Sequence, residues 1–256
     1  MESNILIFTL GLIFGSFLNM LIYRLPLDIS LINPKRSICT SCNYQIKWYE
    51  NIPLFSYIFL KARCSNCKEQ ISIIYPIVEL ITAILTLLLF IKMGNTFNFI
   101  LTTLLFYILI VLSFIDFKYK AVPDYLLILS LLVSFFIIDF DFKAMLMFSG
   151  GFILLDIFIT FYIQNIKSKI LNDDSLRTQK ALGEGDIPIV AIIGGLLSVK
   201  LGLIAIFLSA IFAIIPSILN TIIKKDIETP FIPYLTLALF TVYITDNYFL
   251  NLFVAN

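Results

Sequence analysis

Long apolar runs broken by short polar connections occupy almost the whole chain. They fall at 5–23, 71–91, 99–115, 122–138, 144–163, 187–199, 201–223 and 233–250. A helix needs about 20 apolar residues to cross the hydrocarbon of a bilayer, so the pattern predicts an all-α polytopic membrane protein with about eight transmembrane helices. The sixth run is short, with Gly194 and Gly195 near its end, and a hairpin at 199–203 is expected to join it to the seventh. The first run could be mistaken for a signal peptide. It has no basic stretch before it, and Arg24 follows it at once where a small-residue cleavage site would stand, so it reads as a span. One polar stretch, 24–70, is larger than a connection. The chain therefore divides into a first transmembrane helix at 1–23, a polar domain at 24–70 and a transmembrane core at 71–256.

Composition agrees, with 60% hydrophobic and 14% charged residues and a mean hydropathy of +0.98. A net charge of +1 offers no concentrated basic surface, so no nucleic-acid partner is expected; the expected partner is the lipid bilayer. The charges instead report orientation. If the N-terminus lies outside, the inner connections at 24–70, 117–121, 164–186 and 224–232 hold 15 of the 18 Lys and Arg residues, leaving Lys92, Lys143 and Lys200 for the outer side. Basic loops resist translocation, so 24–70 is expected in the cytoplasm. The segment 165–185, with Lys167, Lys169, Asp173, Asp174, Arg177 and Lys180, reads as a solvated cytoplasmic connection. Histidine is absent. That removes the Ser-His-Asp triad, the Cys-His pair and the H-E-x-x-H metal site.

All four cysteines fall in the polar domain, as Cys39-Thr-Ser-Cys42 and Cys64-Ser-Asn-Cys67, with 21 residues between the knuckles. Two C-x2-C turns at this spacing resemble a zinc ribbon, in which four thiolates surround one metal. A reducing compartment disfavours disulfides, and a thioredoxin-type redox pair would want a βαβ pattern that is missing here. Four sulfurs leave no open coordination position, so the expected zinc is structural. Between the knuckles, Trp48-Tyr49-Glu50-Asn51-Ile52-Pro53 is expected to lie against the membrane surface or the knuckles. Glu50 there is either a functional carboxylate or a surface one.

A carboxylate in or beside hydrocarbon costs about 2.5–3.5 kcal/mol on insertion scales and marks function. Glu79, Asp116, Asp124, Asp156 and Asp186 qualify. Asp116 ends the third span where it reaches the inner side, and Asp186 opens the sixth where it leaves that side, so topology brings both to one depth. Two facing carboxylates cannot easily both ionise; one keeps a proton, and the pair can activate a water, as in aspartic proteases. Asp186, near a helix N-terminus whose dipole favours charge, is expected to be the charged member and Asp116 the protonated one. Gly183 and Gly185 are expected to give the backbone positive φ and a close approach to a substrate strand. Asp124 after Pro123 either supports the site or starts a helix, and Glu79 and Asp156 are expected to hydrogen-bond within the bundle.

Taken together, Gly15-Ser16-Phe17-Leu18-Asn19 with Tyr23-Arg24-Leu25-Pro26, the knuckles, Trp48 to Pro53, Arg63-Cys64, Tyr75-Pro76-Ile77-Val78-Glu79, Ile115-Asp116, Pro123-Asp124 and Gly183-Glu184-Gly185-Asp186 resemble the type IV prepilin peptidases, membrane aspartic proteases of the GxGD type. The resemblance implies a bacterial cytoplasmic (inner) membrane enzyme that cuts the basic leader from type IV prepilins or pseudopilins and then commonly methylates the new N-terminus with S-adenosylmethionine. It puts the catalytic pair at Asp116 and Asp186, the metal at Cys39, Cys42, Cys64 and Cys67, and methyl transfer near the ribbon and Glu50. Ile187-Pro188 follows Asp186 where many relatives carry a charge. Two other classes account for part of the pattern. A non-enzymatic assembly factor docking partners through its ribbon leaves the aspartates unexplained, and a proton-relay transporter does not suit acids gathered near one face.

Overall fold

The computed structural model describes residues 2–33, 36–171, 174–178, 183–222, 230–246 and 248. Among them are nine helices: α1 (Glu2–Arg24), α2 (Phe55–Phe59), α3 (Ile74–Met93), α4 (Phe97–Tyr119), α5 (Asp124–Phe135), α6 (Phe142–Phe161), α7 (Ser168–Leu171), α8 (Asp186–Ile222) and α9 (Ile232–Ile244). No strand occurs among the described residues beyond isolated bridges at Ile38–Gln45 and Arg63–Gln70. Five helical segments are long and apolar enough to cross a membrane, and α5 and α9 are shorter apolar helices. The protein is an all-α, multi-pass membrane protein. Two compact units divide it, Met1–Tyr119 and Lys120–Asn256.

In the first unit, α1 lies so close against α3 that two of its positions leave no room for a side chain. A Cβ on Gly11 would sit 2.6 Å from the Ala83 Cα, and one on Gly15 would sit 2.6 Å from the Glu79 Cα. Gly11 and Gly15 form a small-xxx-small face, which lets helices associate in lipid, where there is no hydrophobic drive to bring them together. The pairing lets Asn19 donate from Nδ2 to the Tyr75 carbonyl at 3.0 Å. The Thr86 hydroxyl, which lies against Gly11 at the same contact, is 2.7 Å from the Tyr107 hydroxyl and joins α3 to α4.

The second unit corrects the expected hairpin at 199–203. In place of a loop there is a one-residue break at Ser198 (φ 56, ψ −175) inside α8. Eight residues of straight helix would separate Gly194 from Gly202 by about 12 Å, yet the positions of a Cβ on either lie within 3 Å of the Phe148 ring. The chain therefore turns back at Ser198, and α8 is two helical limbs. With α1, α3, α4, α5, α6 and α9 these give eight apolar helical segments. Gly195 admits the Phe140 ring, and its carbonyl accepts the Asp141 amide at 2.8 Å. Asp141 caps α6 by accepting from the Ala144 N–H at 3.0 Å. That amide first, and then the Ser198 hydroxyl, hold the Asp141 carboxyl below its usual range.

The expected connection 164–186 starts later than its polarity suggests. Helix α6 continues through a wider π-type turn at Tyr162–Lys167 into α7, with the Ser168 hydroxyl donating to the Gln164 carbonyl. Beyond it, a short 3-10 turn at Asp174–Thr178 carries an exposed Asp174–Arg177 ion pair. Asp173 and Lys180, most of the connection 224–232, and residues 247 and 249–250 of the last expected span lie outside the described residues.

Candidate active site

The four cysteines come together from one backbone plan used twice. Each knuckle closes with two antiparallel hydrogen bonds: the Cys39 amide donates to the Tyr44 carbonyl and the Asn43 amide to the Cys39 carbonyl, both at 2.9 Å. The second repeats this with Cys64 to Glu69 at 2.9 Å and Lys68 to Cys64 at 3.1 Å. Asn43 and Lys68 hold the matching left-handed positions, φ 55 and φ 62. The four sulfurs all lie within 4.8 Å of one another, and Cys39 Sγ is 3.8 Å from Cys67 Sγ. A tetrahedron with metal–sulfur bonds of about 2.3 Å has edges of about 3.8 Å, so the donor set fits a four-sulfur metal site. The Tyr44 amide, and after it the Asn66 side chain, hold the Cys42 thiol down at about 6. The Cys67 thiol has the Glu69 amide favouring its thiolate, but burial and the other three sulfurs push it up to about 12. Four thiolates this close repel one another, and a bound cation removes that repulsion.

Between the knuckles, Trp48–Asn51 forms a single 3-10 turn. Glu50 closes it by accepting the Lys47 amide at 2.9 Å. Burial works against its charge, but the Lys47 amide, the Ser65 side chain and the Lys47 charge hold the carboxyl below its usual range. Leu54, four residues on, has φ 60 and ψ −49, a strained conformation for a branched side chain. Its amide donates to Glu79 Oε2 at 2.9 Å. Glu79, expected to bond within the helix bundle, thus reaches out of α3 to the ribbon loop, with the Ser16 hydroxyl also against it.

Both aspartates are buried at helix ends. Asp116 lies in the last turn of α4 and is 8% exposed; Asp186 is the first residue of α8 and is 6% exposed. Asp116 belongs to the first unit and Asp186 to the second. The Asp186 amide donates to the Gly183 carbonyl at 3.0 Å, closing a turn that folds its carboxylate back, so that a Cβ on Gly183 would meet Oδ2 at 3.2 Å. Neither Gly183 nor Gly185 has the expected positive φ. Gly185 is required by space instead: a Cβ there would lie 2.9 Å from Val122 and 3.4 Å from Ile232. Asp124 is exposed and opens α5 after Pro123. Asp156 is half-buried within α6 and accepts from the Thr160 hydroxyl at 3.2 Å. The tie between Glu79 and Leu54 escaped the sequence reading, and no local motif marks it.

Comparison with known proteins adds to this geometry. The Bacterial Peptidase A24 N-terminal domain matches residues 9–93 and the Type IV leader peptidase family matches residues 103–218. A prepilin leader peptidase/N-methyltransferase of Vibrio cholerae is 33% identical over 221 residues, covering 82% of this chain and 84% of the relative. The chain belongs to the type IV leader peptidase family. A leader peptidase of this family is a protease, and this chain is an enzyme of that class. The relative of the same description from Bacillus subtilis is 27% identical, with 97% of each chain covered. The one from Myxococcus xanthus is 43% identical over 119 residues, which are 46% of this chain and 35% of that protein. No solved structure matches the chain.

Proposed function

We propose that this leader peptidase sits in the inner membrane with its N-terminus outside and its ribbon in the cytoplasm, and removes the basic leader from type IV prepilins or pseudopilins. What carries the reading is that two carboxylates, Asp116 and Asp186, are buried at the ends of apolar helices, where an acid marks function. The substrate's apolar helix lies in the bilayer and its leader in the cytoplasm. One aspartate, Asp186 beside the helix dipole, is the base; it takes a proton from water as the oxygen attacks the scissile carbonyl. Asp116 gives its proton to the carbonyl oxygen. As the tetrahedral centre collapses, that oxygen returns its proton to Asp116, Asp186 passes the proton it took from water to the amide nitrogen, and the C–N bond breaks. Gly183 and Gly185 keep this turn narrow, and Asp124 supports the site from the start of α5.

A zinc ion at Cys39, Cys42, Cys64 and Cys67 holds the ribbon and takes no part in cleavage. S-adenosylmethionine, when bound, supplies a methyl group on a cationic sulfur. Glu50, ionised and accessible beside Trp48, has the charge to face such a group and the new N-terminal amine, so methylation is assigned to the ribbon end.

Expressing Asp116→Asn and Asp186→Asn separately with a prepilin substrate tests the protease. Each is expected to lower cleavage on the order of 10²–10⁴-fold, and full leader removal by either variant sinks the assignment. Glu50→Gln is expected to keep cleavage and lose methylation, read by the mass of the mature N-terminus.

A further inference from the structure

We propose that a cleft along α1 holds one anionic phospholipid, its acyl chain against Leu12, Ile13 and Phe17 and its phosphate at Arg36 and Lys47. The cleft encloses about 630 Å³ and follows one face of α1 from Thr9 to Arg24, with the loop from Trp48 to Phe55 as its opposite wall. Fifteen helical steps make it about 22 Å long, the shape of a chain with a headgroup. Its α1 wall lies in a segment able to span the membrane, Glu2–Leu27, so its apolar part is at hydrocarbon depth, where water is a poor filler and an acyl chain a good one.

The polar end has a single sign. Arg24, Arg36 and Lys47 line the cleft, and among the described residues no Asp or Glu does. The Arg24 guanidinium, itself buried, is taken up by the Ser30, Leu31 and Arg36 carbonyls at 2.9–3.2 Å. Arg36 and Lys47 are then the cations for a ligand; Lys47 lies over the Tyr49 ring and has Glu50 as a neighbour of opposite charge. At the rim, Trp48 is 72% exposed, and α2 turns Ile58 and Phe59 outward, Phe59 at 80%. Such side chains seek the headgroup layer and set this end of the cleft at that level. Basic pockets beside membrane helices at this depth suit anionic headgroups. A cationic methyl donor or a freshly exposed N-terminal amine would meet cations with no compensating acid among the lining residues. A soluble phosphate would leave the apolar trough unfilled.

The test is native mass spectrometry of the full chain released from vesicles of equal parts phosphatidylglycerol and phosphatidylcholine. The wild type is expected to retain one phosphatidylglycerol per chain in preference to phosphatidylcholine. R36Q/K47Q should lower that retention on the order of thirty-fold, while R36K/K47R keeps it. Thermal unfolding reports whether the variants fold; should the glutamine pair unfold, Ile13→Trp, which fills the trough away from the ribbon, must lower retention instead. Equal retention of the two lipids, no loss in the folded variant, or displacement by inorganic phosphate or S-adenosylmethionine alone would overturn the proposal.

Discussion

A carboxylate inside a membrane helix is costly unless something receives it, and Glu79 shows what that can be. Its partner is the amide of Leu54, 25 positions away and in a strained conformation. Glu79→Ala removes the acceptor and should loosen the loop by about 1–3 kcal/mol, seen as faster limited proteolysis between the knuckles; Glu79→Gln keeps an oxygen and should behave as wild type. Glu50 works in the solvated part of the same loop. Its folded pKa is depressed, so its contribution is present above the ordinary carboxylate value of about 4.3 and fades as pH falls through the lower folded value. Trp48, the single tryptophan, reports this directly: its fluorescence should change in that acid range, and Glu50→Gln should abolish the transition. The cysteine cluster was legible in the sequence because its spacing singles it out, and the burial of Asp116 and Asp186 at helix ends because apolar runs adjoin them. Glu79 was recognised only as misplaced, since its partner is set by tertiary packing that no local pattern encodes.

At the scale of elements, the apolar runs located the helices because hydrocarbon imposes both length and composition on them. Their ends were less legible. The run ending at 163 continues as helix to Leu171, since polar residues propagate a helix once it has left the apolar layer. The turn at Ser198 is tighter than the hairpin expected at 199–203, and Gly194, Gly195 and Gly202 beside it make room for the Phe140 and Phe148 rings. Glycine on α1 has a similar use, and Gly15→Ala should lower the unfolding temperature by forcing α1 off α3. Gly150→Ala and Gly151→Ala, where a Cβ meets nothing within 4 Å, should be neutral or gain about 0.5–1 kcal/mol each. In the ribbon, a Cys67 thiol held near 12 still carries its proton at neutral pH. Titrating zinc into the metal-free chain at pH 7.5 should therefore release protons measurable by calorimetry in buffers of different ionisation enthalpy, and affinity should fall as pH falls.

For the whole molecule, the distribution of Lys and Arg makes a claim about sides that is independent of the fold. Lys92→Cys and Lys143→Cys should react with a membrane-impermeant maleimide added to intact cells, while Cys39, Cys42, Cys64 and Cys67 should react only after the membrane is opened and the metal removed. Labelling in the reverse pattern would invert the proposed topology and with it the compartment in which the leader is cut. The chain length and the number of apolar runs limited the architecture to a bundle of about eight segments, but the division into units at Tyr119 has no compositional mark, as apolar helices flank it on both sides.

The bond from Glu79 to Leu54 has a mechanical consequence. The segment carrying Trp48, Glu50 and Pro53 looks like a free polar appendage, but its far end is moored to a residue of α3. It cannot swing out on its own hinge; a tilt or rotation of α3 would be transmitted to it as a lever arm, and a ligand gripping that segment would pull in return on the helix beneath.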